Sequence, residues 1–396
     1  MTNVGIDLIH FTTSDYYLGL DTFAKQKGLD YNKYKIGIGQ EKMSIAPPDE
    51  DIVTLAAKAC DPILQQIQTD KITAVLFATE TGIDQSKSAG VFLHGLLQLP
   101  KRCRVIEFKH ACYAGAAALQ MAKTMVQANP TEQILVIAAD IAKYDLDSSG
   151  EATQGCGAVA MLIKQNPRIL TLEAGSGYYT DDVMDFWRPN YRSTALVDGK
   201  YSTKVYLNSL KHAWQHFTET TGKNFQSIDY FCYHIPFTKM AEKAHKALIK
   251  QAGVTLSQQD FQQQTQPGQI YNRIVGNSYS ASVFIGFCSL LDHAPEKLDH
   301  KRIGFFSYGS GCVAEFFTGK IQPGYQAHLM TQSHQQQLNQ RTALSYTQYL
   351  EFHQQMNDSE ADITYPVYNR GAYRLAAIQN HKRRYQHQTP LNKQGH

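Results

Sequence analysis

VIEFKHACYAGAAALQMAKTMV, residues 105–126, decides the fold. An apolar run leaves through a short polar turn at Lys109 and His110, and Cys112 then stands before the small residues Ala114, Gly115, Ala116, Ala117 and Ala118. This reads as a strand-turn-helix corner, the joint from which β-α-β units with buried strands are built. A thiol at a helix N-terminus faces unpaired backbone N–H groups and the positive end of the helix dipole. Both favour thiolate, which makes Cys112 a candidate nucleophile. The small side chains behind it let the helix press against a buried sheet. The ordinary alternative is a small apolar residue packed in a helix.

The same alternation extends in both directions. Strand candidates are 74–78, 104–108, 134–139, 158–163 and 169–173, then 230–234, 303–307 and 313–317; helix candidates are 52–68, 89–97, 113–127, 239–252 and 278–291. In the first half ILVIAADIA leads to QGCGAVAMLI, and in the second RIGFFSYGSG leads to CVAEFFTGKI, an ordering that suggests internal duplication. The turn-rich stretch 186–202 interrupts the pattern as an insertion or cap loop. Residues 325–361 read as long helical segments rich in Gln and His, and the polar end from 386 reads as frayed. The chain divides into a first half, 1–165, a second half with cap segments, 166–385, and a tail, 386–396.

With 396 residues, 43% hydrophobic and 18% charged, the chain has the balance of a folded, soluble protein with a sizeable core. Its net charge of +3 is carried by Lys382, Arg383, Arg384 and Lys393 near the end, so no basic body surface for nucleic acid is expected. The opening MTNVGIDLIHF has no basic residue before its apolar stretch and holds Asp7, unlike a secretory signal, and no apolar run approaches the ~20 residues that span a bilayer. A cytoplasmic location without membrane contact follows. The seven cysteines are scattered, without a C-x-x-C pair or a Cys/His cluster at metal-ligand spacing. We expect neither disulfides nor zinc, and read the six besides Cys112 as buried and unreactive.

Three other residues stand at strand tips or helix starts, where α/β sheets place their ligands. Glu80 ends AVLFATE, His234 ends DYFCYH, and Asn277 lies in VGNSYSAS. Taken singly, each has a plain reading: a capping carboxylate, a satisfied histidine, a helix N-cap. Together a Cys, a Glu, a His and an Asn suit thiolate attack combined with carbon-acid chemistry. Lys239, Lys243 and Lys246 share one helix face just after His234, either as a solvated face or as an anchor for a polyphosphate ligand. The sequence has no Walker loop, no G-x-S-x-G and no H-E-x-x-H, and GSGCVA sits between strands rather than opening a helix.

Eight stretches, GIGQEKM (37–43), TETGIDQSKSA (79–89), EFKHACYAGAAALQ (107–120), AADIAKY (138–144), DFWRP (185–189), YHIPFTKM (233–240), VGNSYSAS (275–282) and GFFSYGSGCVAEFF (304–317), together resemble bacterial 3-hydroxy-3-methylglutaryl-CoA (HMG-CoA) synthases, thiolase-fold enzymes of the mevalonate pathway. GAYRLAAIQNHKRRY (371–385) is similar to that family's closing segment. The resemblance implies two βαβαβαββ halves in a five-layer αβαβα arrangement, usually as a homodimer. It implies Cys112 as the acetylated nucleophile, Glu80 as the general base and His234 as the acid and acetoacetyl anchor. Supporting contacts fall on Tyr144, Thr153, Ser202, Asn277 and Ser307, and the coenzyme A anchors on Lys239 and Lys243. It further implies acetyl-CoA and acetoacetyl-CoA as substrates with no metal or redox cofactor. Three rivals stand beside it: a ketosynthase, which lacks a counterpart of Glu80; an enzyme that adds a β-branch to a carrier-bound polyketide; and a catalytically silent binding protein of the same fold.

Overall fold

The structure, a computed structural model, describes residues 3–355 and 362–388. Its main sheet holds β1 (Val4–Thr12), β2 (Ile72–Ala78), β3 (Arg104–Phe108), β4 (Gln133–Ala142), β5 (Gly155–Gln165), β6 (Leu170–Thr180), β7 (Tyr230–Tyr233), β8 (Arg302–Gly309) and β9 (Val313–Ile321). These lie in the order β7-β8-β9-β6-β1-β5-β4-β2-β3. In the first half β2 runs parallel to β3 and β4, while β4–β5 and β5–β1 are antiparallel. The second half repeats this with β7 parallel to β8 and antiparallel β8–β9 and β9–β6 pairs. The duplication is real in topology, but the full βαβαβαββ pattern holds only in the first half. Where that half has β3, the second carries the helices Gln258–Thr265 and Ile270–Val275 instead.

Strands buried on both faces carry two apolar rows, and these rows sort the molecule into layers. The principal helices are α1 (Ile52–Leu64), α2 (Ala89–Leu96), α3 (Ala114–Ala128), α4 (Gly199–Thr221), α5 (Lys239–Ala252), α6 (Ser282–His293), α7 (Thr331–Asn339) and α8 (Tyr346–Gln355). Leu135, Ile137 and Phe77 pack outward with Leu55, Cys60 and Leu93 of α1 and α2. Their neighbours Val136 and Leu76 pack inward on Leu119 of α3 and Phe284 of α6, in one core with Phe305 and Phe317 of the second half. The reverse rows, Phe306 and Phe316, meet Tyr206 and Leu248 of α4 and α5. Helix, sheet, helix, sheet and helix layers result. The two half-sheets join where Gly5 and Ile6 pair with Thr171 and Leu170. A Cβ on Gly5 would stand 1.9 Å from the Leu170 carbonyl oxygen, so only glycine lets the halves meet there.

Several expectations are corrected. The 186–202 stretch contains two two-residue strands, Phe186–Trp187 and Leu196–Val197, and then the start of α4, a 23-residue helix absent from the sequence reading. Its buried face, Val205, Leu210, Ala213 and Phe217, is spread among polar residues and follows a glycine, which hid the period. Residues 325–355 are not long helices but a 3-10 turn (Tyr325–His328), α7, a short strand (Thr342–Ala343) and α8; residues 356–361 lie outside the described set. The end also holds more structure than expected. A hairpin of β10 (Ile363–Thr364), β11 (Tyr373–Gln379) and β12 (Lys382–His387) takes in Gln386 and His387, and Gln388 donates to the carbonyls of Asn369 and Gly371. Residues 389–396 lie outside the described set.

Asp49 latches this hairpin to the first half. Its buried carboxylate accepts from the backbone of Tyr368 and Asn369 and from the buried Arg374 guanidinium at 3.2 Å. Asp49→Ala leaves Arg374 buried without this counter-charge, and we expect a loss of ~3–5 kcal/mol in urea unfolding. A loss below ~1 kcal/mol would mean that the latch contributes nothing beyond a surface pair.

Candidate active site

Cys112 sits between β3 and α3, two residues before the helix begins, and the preceding Ala111 adopts a left-handed φ of 42°. The small residues behind it do the work expected of them. A Cβ on Gly115 would lie 2.7 Å from the Ser280 carbonyl oxygen, so the corner is packed directly on the start of the α6 region. The thiol is 7% exposed and donates to Glu80 Oε2 at 3.2 Å. Burial first, and then the Glu80 carboxylate, push the thiol well above its ordinary value, so the expected stabilisation of thiolate by the helix end does not prevail. A helix terminus is worth at most ~2 kcal/mol, whereas two like charges ~3 Å apart at an effective dielectric of about 20 repel by ~5 kcal/mol.

Glu80 follows β2, and its own carboxyl is pushed up to about 8, by burial and then by Asp140. Asp140, near the end of β4 and fully buried, anchors the loop that carries Glu80. One of its oxygens accepts from Thr79 Oγ1 (2.7 Å), the Glu80 and Thr81 backbone N–H groups (both 2.9 Å) and Thr81 Oγ1 (2.6 Å). The other accepts from the backbone and hydroxyl of Ser280, in the second half. Arg188, from the 186–202 stretch, donates to the Glu80 carbonyl. Glu80 is thus fixed by its main chain, leaving the carboxyl to face the thiol.

His234 follows β7 at the corresponding corner of the second half. Its backbone N–H donates to the Phe306 carbonyl (2.7 Å), its carbonyl accepts from Tyr206 OH (2.8 Å), and its buried Nδ1 has no hydrogen-bond partner. Burial depresses the imidazole to about 3, so it is neutral near pH 7. Tyr206 lies between the two corners: burial and the charge of Cys112 raise its phenol well above the ordinary value. Ser307, on β8, is fully buried with an unpartnered hydroxyl. Asn277 uses Oδ1 to accept from the Tyr279 backbone (2.9 Å), the local capping role that was its plain reading.

Tyr144 shares one apolar cluster with Cys112, Ala142, Ala195 and Tyr279, against which Phe186 and Val197 pack. Burial raises its phenol, and Tyr279 and Thr153 interact with its hydroxyl. Thr153 is held by its own donation to the Gly150 carbonyl at 2.8 Å. Ser202 instead donates to the buried Asp185 at 2.9 Å, which also accepts from Tyr308 OH (2.6 Å) and the Gly311 backbone (2.9 Å). Lys239 and Lys243 are outside this buried cluster: Lys239 pairs with Glu242 at 3.0 Å, and Lys243 lies over the Phe237 ring at 5.0 Å. Among the described residues, no group of three or more His, Cys, Asp or Glu could hold a metal ion, and no helix is long and apolar enough to cross a membrane.

Comparison with known proteins gives the same assignment from end to end. The family models for the N-terminal and C-terminal parts of hydroxymethylglutaryl-coenzyme A synthase match residues 1–167 and 170–388. The chain belongs to the hydroxymethylglutaryl-CoA synthase family. It is 41% identical to the hydroxymethylglutaryl-CoA synthase of Enterococcus faecalis, over 96% of this chain and 99% of that one. It is 34% identical to the polyketide biosynthesis 3-hydroxy-3-methylglutaryl-ACP synthase PksG of Bacillus subtilis, over 88% and 87%. A crystal structure of an HMG-CoA synthase complexed with CoA superposes with a TM-score of 0.91 at 38% identity, covering 97% of this chain and all of that one. The HMG synthase of the curacin biosynthetic pathway reaches 0.92 at 30% identity, with the same coverage. An HMG-CoA synthase is an acyl-condensing enzyme, and the fold is the thiolase-like one of its structural neighbours.

Within this HMG-CoA synthase frame, sequence reasoning missed Asp140, Asp185, Arg188, Tyr206 and Tyr279. Asp140 did carry a signal, an acid inside the apolar run ILVIAADIA, where an uncompensated charge would be costly. The cysteine expectation also needs one correction, since Cys103 is partly exposed.

Proposed function

We propose that the chain condenses acetyl-CoA with acetoacetyl-CoA through an acetyl-Cys112 intermediate, giving HMG-CoA and free CoA in the mevalonate route to isoprenoids. The observation that carries this is the 3.2 Å contact between the Cys112 thiol and Glu80. A carboxyl that touches the nucleophile is placed to work on whatever group the nucleophile carries. The thiol gives up its proton to Glu80 as it attacks the acetyl thioester, and Glu80 passes that proton to the departing sulfur, so that CoA leaves as the thiol and Glu80 is again a carboxylate. The acetyl methyl, a very weak acid, then loses a proton to the Glu80 carboxylate, and the enolate adds to the ketone of acetoacetyl-CoA. His234 enters as a neutral imidazole, its N–H donating to the ketone oxygen; the alkoxide formed there takes that proton, and the proton Glu80 removed from the methyl restores the neutral imidazole. Water finally releases the product from Cys112.

Tyr144, Thr153, Ser202, Asn277 and Ser307 support the acyl groups, and Lys239 and Lys243 meet the phosphates of CoA. No metal or redox cofactor enters the scheme. We further propose a cytoplasmic homodimer; the resemblance supports both, and β3, an edge strand of the sheet that exposes Ile106, supports the dimer. Purified protein mixed with both thioesters should consume acetoacetyl-CoA, seen as loss of its enolate absorbance, and release free CoA. No consumption would sink the proposal.

The second reading, addition of a β-branch to a carrier-bound polyketide, is favoured by the similarity to PksG and the curacin enzyme. A carrier-bound acetoacetyl substrate turning over faster than the CoA thioester would establish it.

The raised carboxyl of Glu80 sets a pH dependence. A base works in its ionised form, and burial favours the neutral one, so base activity grows as pH rises through about 8. With His234 at about 3, no second limb comes from the imidazole near neutrality. Exchange of the methyl protons of preformed acetyl-enzyme with deuterated water should therefore climb between pH ~6 and ~9 and then level. A flat profile over that range would contradict it.

A further inference from the structure

The Gln- and His-rich segment after residue 325 matches none of the resembling stretches, yet α8 reaches the active site through the main chain of Tyr144. His353 Nε2 lies 3.0 Å from the Tyr144 carbonyl oxygen, and since a carbonyl only accepts, this nitrogen carries the proton. The Tyr144 backbone N–H donates to Gln154 Oε1 at 3.0 Å. That amide is oriented in turn by α8: Gln154 Nε2 donates to Tyr349 OH at 2.9 Å, and the Tyr349 hydroxyl donates to the buried Glu151 at 3.0 Å. Tyr349 and His353 are one helical turn apart with their rings edge to face at 5.7 Å, so a single face of α8 holds both polar groups of the Tyr144 peptide backbone. The Lys143 ammonium donates back to the His353 carbonyl at 2.7 Å, which closes the contact.

This clamp matters because the Tyr144 phenol, whose hydroxyl meets Tyr279 and Thr153, projects from a backbone that α8 holds. Its ring lies in the apolar cluster of Cys112, 6.5 Å from Tyr279 and 6.3 Å from Phe186, contacts that fix its environment without fixing its height along the chain. The next residue, Asp145, faces the other way and is held by Arg192 and Thr194 of the cap stretch. A shift of the Tyr144 backbone would move the phenol against Cys112.

We propose that His353, backed by Tyr349, is a positioning residue that acts through Tyr144 to set the phenol beside the acylated Cys112. The proposal rests on the condensation reading above. His353→Ala should lower kcat for condensation about tenfold, with KM for both thioesters within about twofold, as expected when placement rather than affinity is lost. His353→Gln, which retains an N–H donor, should recover most of the loss. In a Tyr144→Phe background, His353→Ala should cause less than about twofold further change, because the group it positions is already gone.

The wild type, the three single variants His353→Ala, His353→Gln and Tyr144→Phe, and the double variant are assayed together, with thermal unfolding beside each. Condensation absent from the wild type would remove the functional reading itself. Condensation intact in the wild type but unchanged in His353→Ala would overturn this inference alone. An equal fall from His353→Ala with and without the Tyr144 hydroxyl, or a fall that tracks melting temperature and is not rescued by His353→Gln, would also overturn it, since the role would be purely structural.

Discussion

Glu80→Ala should stop condensation while leaving Cys112 able to take up acetyl. The thiol is raised partly by the Glu80 charge, so removing that carboxylate lets thiolate form more readily. Thioester exchange then survives, although it loses the neighbouring proton acceptor. Carbon-proton removal has no such substitute, because Asp140, the nearest other acid, is occupied by Thr79, Thr81 and Ser280. Condensation should fall by ~10²–10⁴-fold, the usual worth of a positioned base and equal to ~3–5 kcal/mol of barrier. Intact-protein mass spectrometry should show trapped acetyl-enzyme, and methyl-proton exchange should cease with condensation. Near wild-type condensation would mean that the base is misassigned. It would also revive the ketosynthase reading, in which loss of carbon dioxide makes the carbanion and no carboxylate is needed.

Cys112→Ala should abolish covalent acetylation, with no detectable adduct after acetyl-CoA treatment, because no second thiol stands at a strand-turn-helix corner next to a carboxylate. Five of the other six cysteines are buried. Cys103 is partly exposed and will react with small alkylating agents, so the adduct must be mapped to its peptide rather than counted. An acetyl group persisting on any peptide of the variant at wild-type rate would move the nucleophile elsewhere. The substitution removes only one sulfur atom from the apolar cluster and keeps the Cβ, so unfolding is not expected to confound the result.

The parts of the site that were legible in the sequence are those fixed by local chain geometry. Cys112, Glu80 and His234 each end a strand or precede a helix, and an apolar run followed by a reactive residue shows in a short window. What stayed hidden depends on residues far apart in the chain. Asp140 meets Ser280 across 140 positions, and His353 meets Tyr144 across 209. No window joins such pairs. The thiolate expectation failed for a related reason: the helix end was visible, while the carboxylate 32 residues away that outweighs it was seen only as a separate candidate. The missing third strand of the second half escaped because duplication was read from flanking strands that do repeat.

The roof over Cys112 has a consequence for time rather than for shape. Phe186, Ala195 and Val197 close over the thiol, and Arg188 ties that same stretch to the base loop. On the condensation reading, an acyl group on the sulfur would sit among these apolar side chains, and we expect its loss to water to follow how often residues 186–197 loosen. A charged acyl-enzyme can wait for its second substrate, and hydrolysis without product becomes a direct clock for the opening of that roof.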